Sequence, residues 1–129
     1  MIETNALVLA RTDYRDYDRM VTLFCPELGR IDAIARGCKK PKSPLISAAE
    51  CFTAGVFTLS ERNGRYSVTS CAVTESYYDL RQDYHRLTAG AYVLRLLLTC
   101  VQPGDPAQAL FLASLKTLAY LSYSPLPPA

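Results

Sequence analysis

The sequence lacks most of what would mark a metalloprotein, an enzyme or a membrane protein. It has one histidine, His85, and its five cysteines (Cys25, Cys38, Cys51, Cys71 and Cys100) include no C-x-x-C pair. A tetrahedral zinc site therefore has neither its usual spacing nor its usual partners, and no metal or other cofactor is expected. The odd cysteine count points instead to free, buried or half-buried thiols in a reducing compartment. No H-E-x-x-H, G-x-S-x-G, G-x-x-x-x-G-K or G-x-G-x-x-G occurs, so the reading is non-enzymatic. Long apolar runs are also absent. The longest, Ala91 to Val101, is interrupted by Arg95 and is about half a membrane span. The start, Met1 to Asn5, has no basic region, and the apolar stretch from Ala6 stops at Arg11. Neither a signal peptide nor an anchor is expected to begin there, and the expected location is the cytoplasm.

What is present is enough to fold. Apolar residues make up 50% of the 129 positions and charged residues 20%, far from the low-hydrophobicity, high-charge composition of disordered chains. The length suits one compact domain, or one small domain with an appendage. The net charge is only +2, but its distribution is uneven. Between Arg30 and Ala48 stand Arg30, Arg36, Lys39, Lys40 and Lys42 against the single acid Asp32, so this stretch carries +4 and the remainder of the chain −2. The basicity is concentrated in one segment.

The first two-thirds reads as strands and turns. Leu7 to Thr12 predicts a strand with at least one strongly apolar face, followed by a polar connection, Asp13 to Asp18, with two tyrosines among charges. Arg19 to Cys25 is a second strand, Pro26-Glu27-Leu28-Gly29 a turn, and Arg30 to Arg36 a third strand antiparallel to the second. Gly37 to Ser43 must be a loop. Ser43 can then cap a short helix with Pro44 at its first position, running to about Glu50. Thr53 to Arg62 and Arg65 to Glu75 flank Asn63-Gly64, the strongest short-range hairpin signal.

From Asp79 the period changes. Leu80, Tyr84, Leu87, Ala91, Leu94, Leu98 and Val101 fall on one stripe of a long helix, with Asp79 and Gln82 as a capping box. Gln102-Pro103-Gly104 ends it, and Asp105-Pro106-Ala107-Gln108 opens a second helix through about Tyr123, apolar on more than one side. Such a surplus of apolar surface calls for further packing partners. The Pro-rich tail Ser124 to Ala129 reads as a terminus or as the start of a connection to further sequence, and the incomplete helical unit favours the second.

Five strands in antiparallel order with a helix between the third and fourth is the element order of an OB-fold barrel; the inserted helix argues against an SH3-like barrel. The expected fold is therefore mainly β plus α: a five-stranded antiparallel OB-fold over residues 1–78, followed by an antiparallel helical pair, an incomplete helical domain, over 79–129. OB-folds hold nucleic acid in a groove where cations follow phosphates and aromatic rings carry bases. The candidates are Arg36, Lys39, Lys40 and Lys42 on one loop, Arg11, Arg15 and Arg19 near the first connection, and Tyr14, Tyr17 and Tyr66 as platforms. Lysine suits a sequence-neutral role, because it acts as a point charge. A solvated loop is the bland alternative for the lysines, which the loop's place on such a barrel disfavours.

The other residues have simpler readings. Asp13, Asp16 and Asp18 can neutralise the neighbouring arginines, and they lack the Gly and Glu of a calcium loop. Tyr14 and Tyr17 are more readily packed beside strands, hydroxyls in water, than stacked on bases. Tyr77, Tyr78, Tyr84 and Tyr92 are expected to join barrel to helices, and His85 to lie on the surface. Cys38, beside Lys39, could have a lowered thiol pKa, but no His and acid constellation accompanies it.

In order along the chain, Ala6-Leu7-Val8-Leu9, Tyr14, Asp18-Arg19-Met20-Val21-Thr22-Leu23-Phe24, Pro26-Glu27-Leu28-Gly29, Ala35-Arg36-Gly37, Pro41-Lys42-Ser43 and Tyr77-Tyr78-Asp79-Leu80-Arg81 resemble the N-terminal part of the RecO family of bacterial recombination mediators. The resemblance implies an OB-fold followed by a helical domain that in many members carries a four-cysteine zinc site. It also implies binding of single- and double-stranded DNA, annealing of complementary strands, interaction with RecR and SSB, and help in loading RecA. Two departures accompany it. Arg15 and Asp16 stand where relatives often have a Gly-containing turn, and the chain stops inside the helical domain, without the zinc segment. The pocket for the SSB tail is accordingly expected to be incomplete. Two other readings stay open: a protein-interaction adaptor that uses the barrel as scaffold, and an RNA-binding OB module.

Overall fold

The computed structural model describes residues 1–123, so the Pro-rich tail lies outside the described residues. Five strands, β1 (Ile2–Asp13), β2 (Arg19–Cys25), β3 (Gly29–Ala35), β4 (Ala54–Arg62) and β5 (Arg65–Glu75), close into a barrel in the order β1-β2-β3-β5-β4. Three helices follow: α1 (Tyr78–Gln82), α2 (Tyr84–Cys100) and α3 (Gln108–Tyr123). This is the OB-fold class with a helical part that the element order predicts. No helix among the described residues is long and apolar enough to cross a membrane.

The strand β1 is longer than the alternation suggests because it serves two neighbours. Its first half, Ile2 to Leu7, pairs with β4, and its second half, Leu7 to Asp13, pairs with β2 across an irregularity between Val8 and Ala10. At this bend Ala6, Leu7, Val8 and Leu9 are all buried. Ala6 and Val8 point into the barrel core with Val21, Leu23, Phe57 and Leu59, whereas Leu7 and Leu9 point outward into a second core shared with the helices. A strand buried on both faces reads as a continuous apolar run, as here.

One ladder departs from the all-antiparallel expectation: β3 and β5 run parallel, through Ala33–Tyr66 and Ile34–Ser67. Parity requires it. Directions cannot alternate all the way around a ring with an odd number of strands, so one neighbouring pair must be parallel. The hairpin at Asn63-Gly64 forms as expected, with φ of 55° and 78° at the two turn residues.

The connections depart further. The helix expected from Ser43 to Glu50 is a set of turns ending in a three-residue 3-10 helix, Ser47–Ala49. Ser43 Oγ does accept from the Leu45 N–H at 3.1 Å, but the Thr53 hydroxyl donates to the Ser47 carbonyl at 2.8 Å, and Phe52 at φ 70° turns the chain into β4. The long helix is also broken, at Asp83, whose backbone is extended and whose carboxylate accepts from the His85 and Arg86 N–H groups. Asp83, not Asp79, is therefore the capping aspartate. Ahead of α1 the Glu75 carboxylate takes the Ser76 and Tyr77 N–H groups at 3.0 and 2.7 Å.

Because of the break, the buried face of α2 is Gly90, Leu94 and Leu97, and Tyr84, Leu87 and Ala91 of the expected stripe face solvent. The helix expected from Pro106 starts at Gln108 instead. Gly104 N–H donates to the Leu28 carbonyl and Ala107 N–H to that of Pro26, so this segment is fastened along the β2–β3 turn before α3 can begin. The second core then closes on Phe24, Phe52, Tyr77, Leu80, Leu94, Leu97, Phe111 and Leu118, with Phe24 and Phe111 edge to face at 5.3 Å. Each fully buried side chain of this size contributes about 1.5–3 kcal/mol.

Candidate nucleic-acid interface

The β1–β2 connection and the loop after β3 lie far apart in sequence and are tied together in space. Gly37 N–H donates to Asp18 Oδ1 at 2.7 Å, and Lys39 N–H donates to the Tyr17 carbonyl at 3.0 Å. Within the first connection, Tyr14 N–H donates to the Asp18 carbonyl at 3.0 Å. The backbone bonds that β2 and β3 cannot supply beyond their ends are thus made between the two loops. Arg15 and Asp16, in place of a flexible turn, sit in a connection that is closed by its own hydrogen bonds.

The cations of these loops fall into two groups. The first is paired. Arg19 donates to Asp13 at 3.2 Å, to Glu50 at 3.1 Å and to the Ala49 carbonyl at 3.4 Å; Lys39 Nζ lies 3.3 Å from Asp13, and Arg11 Nε lies 3.7 Å from Glu50. The Lys39 ammonium, and after it the Arg19 guanidinium, hold the Asp13 carboxyl below its ordinary range. Burial opposes the charge of Arg19, yet its bonds to Glu50 and Asp13 outweigh that, and its pKa is raised. Arg30, also in the basic segment, donates to the Leu98 carbonyl at the end of α2 and faces away from the loops.

The second group has no ion-pair partner among the described residues: Arg15, Arg36, Lys40 and Lys42. Arg15, Arg36 and Lys40 line one cleft together with Asp16, Tyr17, Asp18 and Gly37. Arg15 sits 5.1 Å from the Tyr14 ring centre and Lys40 5.6 Å from that of Tyr17, both rings being about half exposed. Each tyrosine thus holds a cation at its face, a placement worth about 0.5–1 kcal/mol at an exposed site.

Two arginines absent from the sequence candidates join this surface. A second cleft runs across the β3–β5 junction and is lined by Tyr14, Arg15, Met20, Asp32, Ile34, Arg36, Arg65 and Tyr66. A third continues along the β4–β5 hairpin past Arg36, Arg62, Asn63 and Arg65. The only sequence signal for Arg62 and Arg65 is that they flank the Asn63-Gly64 turn; the parallel ladder that sets them beside Arg36 has no local signature.

The thiols give no reactive centre. Burial pushes Cys38 up, against the lowering expected from its lysine neighbour, and pushes Cys25 to about 12 and Cys71 to about 11. Among the described residues no group of three or more His, Cys, Asp or Glu side chains could hold a metal ion. The arrangement is an open surface on which Arg15, Arg36 and Lys40 stand beside Asp16 and Asp18.

The family model described as Recombination protein O N terminal matches residues 1–77, and the one described as Recombination protein O C terminal matches residues 81–129. The DNA repair protein RecO of Acetivibrio thermocellus is 34% identical over 128 residues, covering 97% of this chain and 51% of the relative. The proteins of the same name from Clostridium novyi and Syntrophomonas wolfei are 31% and 30% identical, covering 94% and 95% of this chain and 47% and 49% of theirs. The chain spans about half the length of the curated relatives it matches.

Proposed function

The chain belongs to the RecO family of DNA repair proteins, and from that premise we propose that it binds single- and double-stranded DNA through the joined loops of its barrel, as a recombination mediator. The carrying observation is that Arg15, Arg36, Lys40 and Lys42 project from two loops tied by hydrogen bonds from the Gly37 and Lys39 N–H groups and have no ion-pair partner among the described residues. Unpaired cations release the counterions of the phosphates they meet, and that release drives binding. Lys39, Arg11 and Arg19 hold the loops in place from behind. Tyr14 and Tyr17 orient Arg15 and Lys40 and offer rings to unstacked bases.

The mechanism is non-catalytic. Neutralising phosphates on two strands lowers their repulsion, so that complementary strands held at an open groove can pair. The barrel, up to residue 78, carries the DNA contacts, and RecR and SSB are the protein partners. With RecR the protein helps load RecA on SSB-coated DNA by competition between sites, with no nucleotide hydrolysis. A second reading, a protein-interaction adaptor, is favoured by one observation: an apolar cleft between α2 and α3 lined by Val93, Leu96, Leu97, Cys100, Leu110 and Ala113.

Fluorescence anisotropy of a labelled single strand, across a salt series, tests the first reading. The expected slope of log K on log salt is roughly −2 to −3 or steeper, since three or four phosphate contacts from these loops alone give that much. Lys40→Glu with Lys42→Glu is expected to lower affinity by about tenfold or more and flatten the slope. Equal binding by wild type and variant, or none by a folded wild type, moves the adaptor reading to first place. A matched RNA competitor separates DNA from RNA preference.

A further inference from the structure

We propose that the β4–β5 hairpin is a second arm of the nucleic-acid site, in which Arg62 and Arg65, with Arg36, hold the phosphodiester backbone of the same single strand that the lysine loop engages. The inference rests on the DNA-binding reading and extends it to residues some 30 positions away in sequence, as the spacing of Arg36 and Arg65 shows.

Charge composition is the first observation. The hairpin cleft is lined by three guanidiniums, two serine hydroxyls, the Asn63 amide and Thr69, and by no carboxylate. Arg36, Arg62 and Arg65 have no ion-pair partner among the described residues. The two nearby acids form no ion pair with these arginines. Asp32, in the adjoining cleft, accepts from the Thr22 hydroxyl at 2.8 Å, and Glu61 faces Tyr66, whose pKa is raised by burial and then by Glu61. An arginine cluster left open in this way is a donor-rich seat for phosphate oxygens, with forked geometry that lysine lacks.

Continuity is the second. Arg36 lines all three clefts, and Arg65 lines both those on the hairpin side. A strand seated at Lys40 and Arg15 therefore passes Arg36 and reaches Arg65 and Arg62, skirting Asp16, Asp18 and Asp32 before it enters the carboxylate-free hairpin cleft. The short β3–β5 ladder makes the passage possible. It stops after Ile34–Ser67, and beyond it the chain turns away at Arg36 while β5 continues.

The test uses the whole chain and a labelled oligothymidylate of about twelve nucleotides, within the site size of about 4–16 per barrel. Arg62 and Arg65 are exposed strand ends flanking the Asn63-Gly64 turn, so Arg62→Gln with Arg65→Gln is expected to leave the thermal midpoint unchanged. Its binding is expected to weaken by about fivefold or more, with a salt slope shallower by about 1.4, as loss of two single-strand contacts gives. A slope equal to that of wild type, while the Lys40 and Lys42 variant shows a shallower one, overturns the second arm alone. A wild type that binds without salt dependence overturns the underlying reading and the arm with it. Displacement of the oligonucleotide by inorganic pyrophosphate at equal concentration reassigns the cluster to a free phosphate ligand and also overturns the proposal.

Discussion

Lys39 Nζ lies 3.3 Å from Asp13 Oδ2, so the first lysine of the basic loop is bound back to the end of β1 instead of facing outward. Asp13 serves Arg19 at the same time, and Glu50 receives Arg19 and Arg11 on the other side. The chain of charges Lys39–Asp13–Arg19–Glu50–Arg11 ties the β3–β4 connection to the facing ends of β1 and β2: the Asp13–Arg19 contact is between sequence neighbours, and those with Lys39 and Glu50 are long-range. It also withholds cations from the outer surface.

Removing the acid should therefore strengthen nucleic-acid binding. Asp13→Asn frees Lys39 and is expected to raise single-strand affinity by about two- to fivefold at low salt and to steepen the salt slope by about 0.7. Anisotropy at several salt concentrations reads both quantities. An unchanged slope would show that Lys39 stays out of reach of the strand.

The same carboxyl sets a pH dependence. Its folded-state pKa is held below the ordinary 3.8, so its contribution to stability is present above that value and is lost as pH falls through the lower folded value. Melts of wild type and Asp13→Asn between pH 7 and pH 2 are expected to show a small gap that closes only below about pH 4. The gap is small because Asp13 is well exposed and screened by water.

Arg19 is expected to act through the loops and not on the strand. Arg19→Ala leaves Glu50 with only the 3.7 Å contact to Arg11 and frees the Ala49 carbonyl. A loss of about 1–2 kcal/mol is expected, with the salt slope of the remaining folded protein unchanged. Denaturant unfolding beside the anisotropy series separates the two effects.

Gly90 is where α2 meets the barrel. A Cβ there would stand 2.9 Å from Leu80 Cδ1 and 3.0 Å from Phe52 Cε1, both on buried side chains of the shared core. Gly90→Val is expected to cost about 1–3 kcal/mol through overpacking. Gly90→Ala should cost less, because alanine returns about 1 kcal/mol of helix propensity. Thermal melts rank the three proteins.

Thiol labelling should follow burial. Cys100 is exposed, whereas Cys25 and Cys38 are buried and Cys25 and Cys71 carry pKa values near 12 and 11. Alkylation of the native protein near pH 8 is expected at Cys100 first, with the half-buried Cys51 and Cys71 slower and the buried Cys25 and Cys38 reacting only in denaturant. Peptide mapping by mass spectrometry identifies the order.

Much was legible in the chain because it is local. The span of β2, the Asn63-Gly64 hairpin and the concentration of cations around Lys39, Lys40 and Lys42 each follow from residues within a few positions of one another. Helix boundaries were less legible. The break at Asp83 follows from a local cap that competes with the one at Asp79, its carboxylate taking the His85 and Arg86 N–H groups, whereas the late start of α3 depends on bonds to distant partners such as Ala107 N–H to Pro26.

By itself, then, the sequence determined that five strands and then helices would form, where the turns lie and which loop is basic, since side-chain periodicity and turn chemistry act over short range. Only the tertiary structure decided which cations are spent on ion pairs, as Lys39 and Arg19 are, and which stay open, as Lys40 and Arg36 do. It alone brought Arg65 beside Arg36, because closing a ring of five strands forces a parallel neighbour that no local pattern records.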